Sequence, residues 1–231
     1  MKTAARPRKP RDAEASRRKL LAAAQKEFAA KGFAGARLLA ITRSARIKPG
    51  LIHFHFADKE GLYAAVLAQA FAQLEAEVAT LVAWASLPLS VPAASDLTVL
   101  GEALVGLTQR FYAENGQLIA LLRNEAARGS AVAKRIATKH LSPIYETVIA
   151  RIELLRVRGV IAADIDARHL FVSVVSMTAY ASVEPLFVQT VWPDGPSGEA
   201  LDAARRSDIV ATALARMLAL PRRGSEEPES V

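Results

Sequence analysis

Residues 16–62 read SRRKLLAAAQKEFAAKGFAGARLLAITRSARIKPGLIHFHFADKEGL, and their periodicities decide the fold. Leu20, Ala24 and Phe28 recur at i, i+4 and i+8, the apolar stripe of a helix from about Ala13 to Lys31. Gly32 is placed to end that helix as the residue just past its last turn. Two short helices follow, about Leu38 to Ala45 and about Pro49 to His55, only three or four residues apart. Pro49 suits a first helical position, where its φ is preset and its missing N–H is not needed. Asp58 is a natural N-cap for the next helix, about Lys59 to Ala83, in which Leu67, Phe71, Leu74, Val78 and Leu81 are spaced 4, 3, 4, 3. Short basic helices running into a long one suggest a helix-turn-helix, whose second short helix enters the major groove of DNA while the first crosses the backbone. Phe33, Leu38, Ile41, Ile52 and Phe56 are the expected core of this three-helix head; Phe54 either joins them or faces outward.

Charge separates the head from the body. The chain of 231 residues has a formal net charge of +7. Residues 1–60 hold 15 Lys/Arg against 5 Asp/Glu, and the remainder 15 against 18. A basic quarter on a near-neutral body is the electrostatic footprint of a nucleic-acid-binding head; a merely solvated basic tail is the blander reading. There is no cysteine, which excludes disulfides, thiolate metal sites and cysteine nucleophiles and fits a cytoplasmic location. The start, MKTAARPRKPRDAEASRRK, lacks the apolar core of an export signal. The most apolar run, Leu170 to Val183, is too short to span a bilayer.

The rest of the chain reads as helices. Apolar residues make up 52% of it and aromatics 6%, a balance that favours packed helices over strands. After a Pro/Ser-rich break, Ser86 to Ser95, the stripe resumes as Leu97, Leu100, Leu104, Leu107 and Phe111. Helices are then expected at about Gln117–Arg128, Ser142–Arg158 (with Pro143 near its start), Asp166–Val188 and Glu199–Leu220. The expected organisation is all-α with about nine helices: a disordered basic arm (1–12), the head (13–60), a larger helical domain for dimerisation and effector binding (61–220) and a disordered tail (221–231).

Ala29-Ala30-Lys31-Gly32-Phe33, followed by Ile41, Ala45, Gly50, His55-Phe56, Lys59-Glu60 and Leu62, resembles the N-terminal signature of the TetR family. The specific stretch is residues 16–62; beyond it the likeness lies in helix number and order, including the turn Gly159 to Asp166. The resemblance implies a homodimer reading a palindromic operator in double-stranded DNA, and repression relieved by a small molecule bound in the C-terminal domain. It makes Pro49–His55 the recognition helix, with Lys48, Pro49, Gly50, Leu51, His53, Phe54 and His55 near the DNA, Arg37 and Arg46 beside them, and Lys59 approaching a phosphate. Four positions depart from the family pattern. Ala36 stands for a usual Thr, Arg46 for a turn Gly, Lys48 for an N-cap Ser and His53 for a Tyr. If Arg46 adopts positive φ, the strain is about 1 kcal/mol; the lost cap is worth about 1 kcal/mol. These departures imply an altered operator preference, or a ligand- or partner-binding helical module whose head binds DNA only nonspecifically.

Other chemistry finds no support in the sequence. No G-x-S-x-G, H-E-x-x-H or phosphate-binding G-x-x-x-x-G-K occurs, so no catalytic residues, metal or cofactor are expected. His53 and His55 lie about 200° apart around a helix and do not share an ion. Arg110, Arg123 and His140 are candidate polar anchors for the effector, among helices 97–114, 117–128 and 142–158. Trp84, Trp192, Tyr145 and Tyr180 either line such a cavity or pack in the core. The dimer is expected from helices 166–188 and 199–220, on the premise that Leu170, Phe171, Val174, Val175, Met177 and Val183 facing Ile209, Val210, Leu214, Met217 and Leu218 exceed what one protomer covers.

Overall fold

A computed structural model describes residues 10–84 and 94–218, so the basic arm up to residue 9, most of the Pro/Ser stretch and the C-terminal tail lie outside the described residues. Ten α-helices and no strand are found among the described residues: α1 (Pro10–Gly35), α2 (Leu38–Ala45), α3 (Gly50–Phe56), α4 (Lys59–Trp84), α5 (Ala94–Glu114), α6 (Gly116–Ala127), α7 (Ala131–Val157), α8 (Ala167–Val183), α9 (Pro185–Val191) and α10 (Gly198–Leu218). The all-α reading holds, with three revisions. Helix α1 begins at Pro10, inside the expected arm, because a proline presets helical φ and Asp12 complements the helix N-terminus. Helix α7 starts at Ala131, not near Ser142, and carries Pro143 in its interior. The expected helix 166–188 breaks at Glu184 (φ −124°, ψ 61°), and α9 leaves α8 at 87°. Pro185 causes the break: its ring disfavours helical backbone at the residue before it, and it supplies no N–H to the ladder.

The chain forms two compact units, residues 1–73 with 115–142 and residues 74–114 with 143–231. In the first, α1 packs against α2 and α6. Leu20, Ala24 and Phe28 of α1 are fully buried with Ile41, Ile52, Leu62, Tyr63, Leu67 and Phe71, and α6 adds Leu118 and Leu121. Phe28, Phe33 and Tyr63 form a ring trio with centroids 4.9 to 6.3 Å apart. By length and composition the segment Lys59–Ala83 is apolar enough to cross a membrane, yet Leu62, Tyr63, Val66, Leu67, Phe71 and Val78 are buried in the protein.

In the second unit α5 is the central helix, packed by α8 and α10. Leu97, Leu155, Ile161 and Ile165 form one core, joined by Leu170, Leu214 and Met217. Val105, Ile209 and Val210 form another, joined by Val174, Met177 and Leu214. A β-carbon at Gly101 would lie 3.2 Å from Val210, so the glycine permits the close approach of α5 to α10. This packing changes which residues the dimer argument rests on: Ile209 and Val210 are buried within the chain, and Leu170, Val174, Met177, Leu214 and Met217 are half-buried against its cores. The large apolar side chains still exposed include Leu218 of the expected face and, beyond those named for it, Val172, Tyr180, Leu186, Phe187, Val191 and Trp192.

Candidate nucleic-acid interface

The head is set by how α1 ends. Gly32 sits at φ 70°, ψ 176°, kinking the chain before Phe33. At the kink the Phe33 N–H donates to Glu125 Oε1 of α6 at 3.0 Å, and a β-carbon on Gly32 would meet that oxygen at 2.7 Å. Glu125 is 4% exposed, a buried carboxylate that caps the end of α1 from another helix. The Tyr63 hydroxyl is buried and has no hydrogen-bond partner among the described residues. Burial, with Glu125 nearby, pushes its phenol up to about 12.

Helix α2 starts without a hydroxyl cap: its N-cap is Arg37, whose side chain makes no capping bond. The Arg37 N–H donates to Glu27 Oε1 at 3.3 Å, and Lys31 Nζ donates to the same oxygen at 2.8 Å. The Lys31 bond, ahead of that from Arg37, holds the Glu27 carboxyl below the usual range. Glu27 thus takes up one donor at the helix start that Ala36 and Arg37 do not serve. At its other end α2 stops on Arg46, at φ 55° and ψ 43°. The Arg46 N–H donates to Arg43 O at 3.2 Å and that of Ile47 to Thr42 O at 2.9 Å, a left-handed helix stop that glycine makes without strain. The non-glycine at this turn therefore does sit at positive φ.

Pro49 is helical (φ −52°, ψ −41°) directly before α3, and the Leu51 and Ile52 N–H groups donate back to Lys48 O and Pro49 O at 3.0 and 3.1 Å. No side chain caps α3 among the described residues, as the Ser-to-Lys departure implies. Ile52 and Phe56 anchor the helix inward. His53 and Phe54 point outward, and Phe54 is 73% exposed, so it is not a core residue. The two histidines are engaged in different places. His53 Nδ1 lies 2.7 Å from Ala57 O; a carbonyl only accepts, so Nδ1 carries the proton. His55 Nε2 lies 2.9 Å from Ser16 Oγ, whose own proton goes to Ala13 O at 2.8 Å, so Nε2 donates.

Of the expected DNA-facing residues, Arg37, Arg46, Lys48, Pro49, Gly50, His53 and Phe54 are exposed, while Leu51, His55 and Lys59 are half-buried. Lys59 donates from Nζ to Ala34 O at 3.0 Å and lies 5.1 Å from the Phe33 ring centroid. That gives it a structural purpose besides any phosphate. Asp58 caps α4 as expected, accepting from Gly61 N–H at 2.7 Å. Gly61 was unremarked in the sequence; a β-carbon there would stand 2.1 Å from Phe56 O. Leu39 and Arg43 were also missed. With Ile41, Thr42 and Ala45 buried, the outward stripe of α2 is Leu39, Arg43, Arg46, and the i, i+4, i+7 spacing was the available signal.

The expected effector anchors are surface residues or packed against the core. Arg110, in the second unit, is exposed and lies 3.5 Å from Glu77 Oε2. In the first unit, Arg123 is exposed on α6 and His140 stacks on Phe71 at 6.5 Å. Within the second unit Tyr145 meets Phe171 at 5.2 Å, and burial, with Tyr112 nearby, pushes its phenol up to about 12; burial raises Tyr112 as well. Tyr180 packs on Phe187 at 5.2 Å and is half exposed, as is Trp192.

Residues 20–66 match the family described as bacterial regulatory proteins, tetR family, and residues 102–212 match the tetracyclin repressor-like C-terminal domain. The HTH-type transcriptional regulator UidR of Escherichia coli K12 is 27% identical over 155 residues, 67% of this chain and 74% of the relative. The HTH-type transcriptional repressor SCO4008 of Streptomyces coelicolor is 29% identical over 189 residues, 81% and 89% of the two chains. Among solved structures, the fatty acid degradation regulator FadR of Bacillus halodurans superposes with a TM-score of 0.66 at 12% identity, covering 90% of this chain and 97% of that one. A linker-substituted mutant of HlyIIR gives 0.62 at 17% identity, covering 91% and 99%. At these identities the likeness is one of fold.

Proposed function

The chain belongs to the TetR family of bacterial regulatory proteins, and from that premise we propose how this DNA-binding transcriptional regulator, which is not an enzyme, engages its operator. Helix α3 enters the major groove and α2 crosses the backbone. Arg46 and Lys48 approach phosphates, with Arg37, Arg43 and Lys59 flanking them, while Gly50, Leu51, His53 and Phe54 face base edges. His55 acts from behind, fixing α3 to α1 through Ser16. The observation that carries this reading is the exposure of Arg46, Lys48, Pro49 and Gly50, extended by His53 and Phe54, on a segment whose Ile52 and Phe56 are sunk into the core. The test is selection of bound sequences from a random DNA pool by the full chain, followed by anisotropy titrations at two salt concentrations. A recovered half-site repeated about a two-fold axis is the expected result. Binding with a steep salt slope and no preferred sequence would overturn it and leave only the nonspecific module.

The functional unit is a homodimer acting in the cytoplasm, and as with the relative named a repressor, occupancy of the operator shuts transcription off. The exposed Val172, Leu186, Phe187, Val191 and Leu218 support the dimer, because apolar surface of this kind marks a protein contact. A small effector with an apolar body is taken up in the second unit, where Tyr112, Tyr145 and Phe171 offer aromatic faces and phenol hydroxyls. They replace Arg110, Arg123 and His140 as the favoured wall. A thermal-shift screen with operator competition tests this, since a ligand of the folded state raises the melting temperature.

A further inference from the structure

Phe54 is the anomaly of the head. A phenylalanine 73% exposed on a helix otherwise well anchored buries little of its own surface and makes no hydrogen bond. It is nonetheless held in place. Its ring meets the His55 ring edge-on at 5.0 Å, and His55 is itself tied to Ser16 of α1. The same head carries exposed cations on α2 and the turn after it, Arg43, Arg46 and Lys48, whose charge matches a phosphate backbone. An apolar ring has nothing to offer a phosphate. In the major groove the base edges present donors and acceptors, and the one apolar group among them is the C5-methyl of thymine.

We propose that Phe54 is a specificity-determining residue that reads the C5-methyl of a thymine in each operator half-site. This rests on the reading of α3 as the recognition helix and adds which base the helix requires and through which atom. The ring packs on the methyl and excludes water from it, so the base is recognised by apolar contact instead of hydrogen bonding. Cytosine, which lacks the methyl and presents an amino group there, is refused.

The experiment uses the full wild-type chain and the operator recovered by selection. Each thymine is replaced in turn by deoxyuridine, which keeps base pairing and removes only the methyl. One thymine per half-site should show a loss of about fourfold, and on the order of fifteenfold when both half-sites are substituted. With Phe54→Ala the thymine and uracil operators should bind alike. Three results overturn the inference: a selected operator without thymine, uracil operators that bind as tightly as the thymine form at every position, or a Phe54→Ala protein that keeps the full uracil penalty. If Phe54 instead contacts a protein, the uracil series is flat and the second result is obtained. If no operator is recovered at all, the recognition-helix reading falls first and takes this inference with it.

Discussion

At Arg46 a β-carbon occupies a left-handed turn, φ 55°, that glycine takes freely, while the guanidinium stands exposed in the turn before α3. Strain and charge can be separated there by one substitution. Arg46→Gly should raise stability by about 1 kcal/mol in urea denaturation, while weakening DNA binding and flattening its salt dependence by about one unit in anisotropy titrations. An equal or greater loss of stability would mean that the side chain itself supports the turn. Tyr63 presents the opposite case, a buried hydroxyl without a partner among the described residues. Tyr63→Phe should therefore stabilise the protein by about 1 kcal/mol at neutral pH. Folding raises this phenol from its ordinary value near 10 to about 12. This phenol therefore leaves stability independent of pH below about 10, and stability falls as pH rises from there through about 12, where the unfolded chain ionises first. Thermal melts between pH 8 and 12 should show a shallower alkaline decline in Tyr63→Phe than in the wild type.

Between elements, the turns carry more of the design than the helices do. Gly61 lets α4 begin directly beneath the end of α3, and Gly61→Ala would drive a methyl into the Phe56 carbonyl. A loss on the order of 3 kcal/mol is expected from equilibrium denaturation. The two lysines at the ends of the α3 segment should diverge. Lys48→Ala should weaken all DNA sequences alike and leave stability unchanged. Lys59→Ala should also lower stability, because its ammonium bonds the Ala34 carbonyl and covers the Phe33 ring. Denaturation curves of the two variants beside their DNA titrations decide whether that division holds. The helices themselves were legible in the sequence because apolar spacing reports a face, and the Gly32 stop, the Asp58 cap and the helical Pro49 follow from local chemistry. The return of the chain to helix between Gly32 and Gly35, the bond from Phe33 to Glu125 and the clash guarded by Gly61 were not legible. Each depends on how turns and side chains meet in the folded chain, which no apolar periodicity encodes. The outward direction of Phe54 was within reach of the spacing, since Ile52 and Phe56 at i and i+4 share a face and Phe54 lies about 200° around the helix from Ile52.

For the molecule as a whole, the apolar surface left over after each protomer has covered its core is the quantity that decides assembly. It lies on α8, α9 and the end of α10, within the helices that the sequence suggested but largely on other residues, since Ile209, Val210 and the side chains packed with them already meet α5. The double variant Leu186→Glu, Phe187→Glu should convert a dimer to a monomer in light scattering while leaving helical content intact, because neither side chain is buried in its own protomer. A monomeric wild type would remove the basis of that expectation. The compact unit that contains the head is also discontinuous in the chain: it is completed by residues 115–142, which supply Leu118, Leu121, Ala133, Ile136 and the Glu125 carboxylate. The DNA-reading head is therefore not a portable cassette. A graft of the first 60 or 70 residues onto a foreign sensor would leave behind the helix that closes its core, and a working chimaera has to carry two segments separated by a stretch belonging to the other unit. Substitution in place on the proposed recognition surface, at positions such as 46, 48 and 53, leaves that shared core untouched, because these side chains are exposed.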